Sequence, residues 1–208
     1  MWQLLASSKP HRGVHIVLDN AGFELFADLC LAEYLVSSGT ASRIRFHAKH
    51  IPWFVSDVTA SDWQWTLEQL TTSSTAALCQ LGQRWQKYLS DGVWQFSTHP
   101  FWTVPHDFTS MKSVARDLYD DLCTADFIIF KGDLNYRKLI GDLAWPTTTP
   151  FTVALRGFSP ASLCGLRTLK CDVVVGLAEG KAESTQKQDA DWMITGAYAV
   201  IQFSNMAL

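Results

Sequence analysis

Val14-His15-Ile16-Val17-Leu18-Asp19-Asn20 is the stretch that decides the fold. A short, mostly apolar and β-branched run stops at two polar residues, and helical spacing follows at once. Phe23, Phe26, Ala27, Leu29, Cys30, Leu31 and Tyr34 recur on a 3.6-residue period, and Gly39 is placed to close that helix. The order is strand, loop, helix, with Asn20 standing where an N-cap would stand.

Working outward, Arg43 to Ala48 reads as a second strand. Ile51 to Asp57 follows it, and Pro52 rules out continued central pairing there, which leaves Asp57 in a loop after a strand. Helices are expected over Ser61 to Leu70 and Thr75 to Leu89, with a turn at Asp91-Gly92. Val93 to Thr109 reads as an irregular crossover. A helix over Met111 to Leu122 precedes a strand over Asp126 to Lys131, and Gly132-Asp133-Leu134-Asn135-Tyr136-Arg137 opens the next helix. Phe151 to Arg156, Cys171 to Gly176 and Ala197 to Phe203 read as further strands, and Glu179 to Asp191 as an exposed loop. Buried strands alternating with helices imply an α/β fold: three layers, α/β/α, with a mostly parallel, Rossmann-like central sheet. No repeat or linker interrupts residues 1–208, so a single domain is expected.

The 208 residues are 48 % hydrophobic and 18 % charged, an ordinary globular balance, with a net charge of −3. Such a chain offers no diffuse positive field to nucleic acid or an anionic membrane, so neither is an expected partner. No apolar run approaches the roughly 20 residues of a membrane span, and the first residues do not read as a signal peptide. An intracellular, cytoplasmic location is expected, with the nucleus also open to it. Five cysteines without a CxxC pair argue against a disulfide framework or a zinc cluster and are read as buried thiols. Nine tryptophans are read as large apolar groups packed over a sheet.

In an open parallel sheet, ligands bind beyond the carboxyl ends of the strands. Asp19-Asn20, Asp57, Lys131-Gly132-Asp133 and Arg156-Gly157 all fall at such ends. Two carboxylates and an amide oxygen make a hard oxygen site suited to a divalent cation such as Mg²⁺ or Mn²⁺, although Asp19-Asn20 reads equally as helix capping. The turn from Gly132 to Lys138 offers backbone N–H groups to a phosphate, or is an ordinary strand-to-helix turn. Arg167-Thr168-Leu169-Lys170 adds cations, or is a solvated turn before a strand.

Taken together, Leu18-Asp19-Asn20-Ala21-Gly22-Phe23-Glu24, Phe54-Val55-Ser56-Asp57-Val58, Lys131-Gly132-Asp133-Leu134-Asn135-Tyr136-Arg137 and Arg167-Thr168-Leu169-Lys170 resemble the damage-control phosphatase family. The last motif, of RTxK form, is similar to that of the subfamily of sugar-phosphate phosphatases, which includes a protein also described as an acidic residue methyltransferase, a protein-glutamate O-methyltransferase. The resemblance implies Asp19, Asn20 and Asp57 as metal ligands and catalytic residues. It implies Asp19, Asn20, Asp133, Leu134, Asn135, Tyr136, Arg137 and Lys170 as contacts of a small phosphorylated metabolite such as fructose 1-phosphate or fructose 6-phosphate. Mn²⁺ or Ni²⁺ is the implied metal, with Co²⁺ or Mg²⁺ as substitutes.

In the methyltransferase reading, Glu24 and Asp57 would face S-adenosylmethionine and a protein would be the substrate. Against it, Asp19-Asn20-Ala21-Gly22 stands where many such enzymes carry a glycine-rich loop. A third reading is a binding module without turnover. The family's helical region ahead of the Asp-Asn motif has only about a dozen residues as its counterpart, so the chain reads as the C-terminal catalytic part of a longer architecture.

Overall fold

The computed structural model describes residues 13–205. These fall into two compact units, one reaching Val104 and including Ala125–Phe127, the other formed by Pro105–Thr124 and the chain from Ile128 onward.

In the first unit, β1 (Val14–Val17) is buried at every position, as its β-branched run requires. It pairs in parallel with β2 (Ile44–Lys49), and β2 pairs in parallel with β3 (Trp94–His99), in the order β3-β2-β1. The connections are α1 (Phe23–Ser37), then α2 (Ala60–Thr71) and α3 (Ala76–Ser90). α1 buries Leu25, Leu29, Ala32 and Leu35. α2 starts on a capping box in which Thr59 and Asp62 satisfy each other's backbone N–H groups. α3 crosses α2 closely at Gly82, where a Cβ would lie 2.8 Å from the Thr71 nitrogen.

β3 lies inside the segment expected to be an irregular crossover. Its Trp94 and Phe96 fill the space over β2, with ring centroids 5.2 Å apart for Phe46 and Trp94 and 4.6 Å for Trp63 and Phe96. Such pairs add about 0.5–1.5 kcal/mol each beyond their burial. Trp63, Trp85, Trp94, Trp102 and Trp192 thus pack as expected, whereas Trp53 and Trp65 are 41 % and 60 % exposed.

The second unit carries α4 (Met111–Val114) and α5 (Arg116–Leu122), one expected helix broken at Ala115, whose backbone is not helical. β4 (Phe127–Lys131) leads into α6 (Gly132–Ile140), which ends on Gly141 in the left-handed conformation. α7 (Phe151–Ala154), β5 (Ser162–Thr168), α8 (Lys181–Gln188) and β6 (Ala199–Ser204) follow, in the strand order β4-β5-β6 with β5 and β6 antiparallel. The fold is α/β, with mostly parallel strands and flanking helices, as the alternation of strand and helix implied.

Several local expectations are corrected. Phe151 to Arg156 is not a strand: Pro150 caps a single helical turn, and Arg156 turns left-handed with φ 49°. Arg156 therefore does not end a strand, and its guanidinium pairs with Asp107 at 3.0 Å. Cys171 to Gly176 is not a strand either, although Val173, Val174 and Val175 are buried. Side chains take its carbonyls in place of a ladder: Arg167 binds Cys171 and Val173, and Gln202 binds Val175. Lys181–Gln188 is helical within the expected loop. Of the cysteines only Cys164 is buried, and Cys30 and Cys123 are exposed. Among the described residues, no helix is long and apolar enough to cross a membrane.

Candidate functional site

Backbone pairing brings Asp19-Asn20 to Asp57. As β1 ends, Leu18 N–H donates to His47 O, then Val58 N–H to Asp19 O (2.9 Å) and Ala21 N–H to Ser56 O (2.8 Å). Asn20 and Asp57 thereby form an antiparallel bridge. Asn20 does not cap α1, whose N-cap is Gly22 with no side-chain bond. Capping therefore does not account for the Asp-Asn pair.

Four side chains converge there. Asp19 is 7 % exposed, Asp57 3 % and Lys49, the last residue of β2, 2 %. Lys49 Nζ lies 2.9 Å from Asp57 Oδ1 and 3.6 Å from Asp19 Oδ1. Asp57 Oδ2 accepts from the backbone N–H groups of Trp53 (2.8 Å) and Phe54 (2.7 Å), so the exposed apolar loop from Ile51 to Ser56 closes onto this carboxylate. Asn20 Nδ2 donates to Asp19 Oδ2 and to Glu24 Oε2, each at 2.8 Å, and Asn20 Oδ1 accepts from Ser56 Oγ at 2.6 Å.

The donors fit a hard divalent cation. All are oxygens, both aspartates are held by backbone geometry, and the pair already draws a cationic group between its carboxylates. The Asn20 carbonyl keeps a second lone pair beside its Ser56 bond. Lys49 was not anticipated from sequence, and the signal was a lysine ending an otherwise buried strand.

Of the other candidates, Asp133 opens α6 and its Oδ1 accepts from Arg167 Nε at 2.7 Å. Arg167, next to last in β5, has its side chain sealed from solvent and lies 4.4 Å from the centroid of the Tyr136 ring. Of the two readings of this segment, the solvated turn does not hold at Arg167, which is buried in β5. Tyr136 OH donates to Gln202 Oε1 (2.6 Å) and accepts from Val175 N–H (3.2 Å), and burial raises its pKa. Asn135 is buried and donates to Lys131 O at 2.8 Å, while Leu134 is half-buried. Arg137 Nε donates to Asp142 Oδ1 at 2.8 Å, a pairing that raises the arginine's pKa and lowers that of Asp142. Lys170 is exposed. Asp133 and Tyr136 thus join Arg167 and Gln202 in one internal network, leaving the α6 N-terminus and Lys170 as groups that solvent reaches.

The first unit also buries a histidine pair, with His47 Nε2 3.0 Å from His15 Nδ1. Burial foremost, and then the charge of His15, holds His47 well below the ordinary histidine pKa. That these two rings meet depends on the parallel pairing of β1 and β2, which sequence patterning does not show.

Residues 1–185 match the family model described as the damage-control phosphatase ARMT1-like domain. The chain is 54 % identical over 200 residues to damage-control phosphatase ARMT1 of Danio rerio, an overlap of 96 % of this chain and 45 % of that protein. It is 49 % identical to the protein of that name from Mus musculus and 46 % to that from Homo sapiens, in each case over 98 % of this chain and 47 % of the relative. The chain spans about half the length of the curated relatives it matches. A DUF89 family protein from Pyrococcus horikoshii aligns over 83 % of this chain and 45 % of its own, with 19 % identity and a TM-score of 0.49.

Proposed function

The chain belongs to the damage-control phosphatase ARMT1-like family, and on that premise we propose that it hydrolyses phosphomonoesters of small sugars with a divalent cation held by Asp19, Asn20 and Asp57. Fructose 1-phosphate and fructose 6-phosphate are the proposed substrates. The observation that carries this reading is the buried Asp19–Asp57 carboxylate pair, braced by the Asn20–Asp57 bridge and contacted by Lys49.

A bound Mn²⁺ or Ni²⁺, with Co²⁺ or Mg²⁺ as substitutes, would supply Lewis-acid polarisation of a phosphoryl oxygen. The chain's own residues have separate tasks. Asp19 and Asp57 provide the anionic oxygens, and the N–H groups of Trp53 and Phe54 fix the direction of the Asp57 carboxylate. Glu24 holds the Asn20 amide from the first turn of α1. This bond gives Glu24 a place in the cluster without a second cofactor. Considered by itself, the second unit offers the opening N–H groups of α6 and the Lys170 ammonium as the proposed phosphate-binding groups, with Leu134, Asn135 and Arg137 as flanking contacts. Asp133 and Tyr136 shape that turn through Arg167. Preorganised donors of this kind stabilise charge as it develops on the phosphoryl oxygens.

The test is phosphate release from fructose 1-phosphate and fructose 6-phosphate, run beside methyl transfer from S-adenosylmethionine to protein carboxylates. Metal-dependent phosphate release without methyl transfer supports the proposal. Methyl transfer alone would move the assignment to the methyltransferase, and inactivity in both assays with every metal would favour a binding module.

A further inference from the structure

Lys49 has no part in the family motifs quoted above, yet its enclosed ammonium touches both carboxylates. Its side chain is 3 % exposed, and its ammonium meets Asp57 Oδ1 at 2.9 Å and Asp19 Oδ1 at 3.6 Å. Burying a charged side chain this deeply is offset only where groups of opposite charge lie within contact distance, as both carboxylates do here. The converse also holds: two carboxylates that share one ammonium repel each other more strongly when it is removed.

We infer that Lys49 is a resident counter-cation of this pair, a positioning residue that keeps the Asp19 and Asp57 side chains aimed before any metal arrives and then opposes the metal's entry. The inference rests on the metal reading proposed above. Two opposed effects follow from one ammonium group. In the metal-free protein it lowers the repulsion between Asp19 and Asp57 and holds Asp57 against the loop N–H groups of Trp53 and Phe54. Toward a divalent cation it is a like charge a few ångströms away, in a site too enclosed for salt to screen it. The site is thereby stable while empty and binds its metal exchangeably.

The test is Mn²⁺ binding by calorimetry at pH 7.5, together with thermal melts with and without the metal, on the wild-type chain and on Lys49→Met, which keeps the length of the side chain and removes its charge. The metal-free variant should melt roughly 5–15 °C lower. Its Kd for Mn²⁺ should be at least about tenfold tighter, and its metal-induced rise in Tm correspondingly larger. A merely structural lysine gives the opposite result, since disrupting the site on its removal weakens metal binding. Equal or weaker binding by Lys49→Met beside normal wild-type binding overturns the inference alone. Absence of wild-type binding overturns the metal reading and the inference with it.

A second arm uses only the wild-type chain. With ¹³C-labelled lysine, the Cε resonance of Lys49 should shift on titration with diamagnetic Mg²⁺ as the ammonium gives up its contact with the carboxylates. A Lys49 resonance unmoved at metal saturation overturns the inference.

Discussion

Lys49 and Asp57 meet at 2.9 Å with side chains only 3 % and 1 % exposed, whereas Asp19 stands 3.6 Å from the same ammonium. The two aspartates therefore differ in what their loss does to the fold. Asp57→Ala strands a buried ammonium and two loop N–H groups and should cost about 3–5 kcal/mol. Asp19→Ala removes, among its contacts, the longer approach to Lys49 and the Asn20 bond while leaving the loop N–H groups of Trp53 and Phe54 paired, and should cost less than Asp57→Ala. Urea unfolding of the two variants measures the difference, and equal costs would contradict the asymmetry.

Arg167 donates to the Asp133 carboxylate and to the Cys171 and Val173 carbonyls while lying against Tyr136. Lysine cannot reproduce that planar fork. Arg167→Lys should destabilise the chain by about 2–4 kcal/mol, because carbonyls of a segment without a strand ladder lose their donor. Denaturant midpoints check this, and a change below about 0.5 kcal/mol, the usual range for surface sites, would restore the solvated reading.

The same arginine shows where the sequence could and could not be read. β1, β4 and the strand-to-helix turns after them were legible because apolar runs stop at polar or glycine residues. Cys171 to Gly176 reads as a strand because of its run of three valines, but its carbonyls are bound by Arg167 and Gln202, residues local patterning does not connect to it. β5 was missed for the opposite reason. Ser162-Leu163-Cys164-Gly165-Leu166-Arg167-Thr168 has little β-branched content, and Gly165 makes room for Tyr136, whose ring a Cβ there would approach at 3.4 Å. At the site, Asp19, Asn20 and Asp57 stood out as polar residues following strands. Lys49 did not, because its role depends on parallel pairing that brings the end of β2 beside Asp19.

His47 supplies a pH dependence. Its pKa in the fold is depressed by burial, and next by His15, from an ordinary 6.5. The unfolded chain therefore binds a proton that the folded chain does not, so this contribution is fully present above pH 6.5 and is lost as pH falls from there toward the folded value. Stability should drop by about 1 kcal/mol per pH unit between pH 6.5 and 5.5 on account of this group. Urea unfolding at pH 7.5, 6.5 and 5.5 for the wild-type chain and His47→Gln checks it. The variant should show a shallower slope, and identical slopes would contradict a neutral buried His47.

The most direct test strips the chain with chelator, restores Mn²⁺ stepwise and follows phosphate release from fructose 1-phosphate alongside metal occupancy. The stripped chain should release no phosphate, activity should rise in proportion to occupancy, and Asp19→Ala should show neither wild-type Mn²⁺ binding nor activity. Undiminished release from the stripped chain, or from Asp19→Ala, would contradict the metal reading.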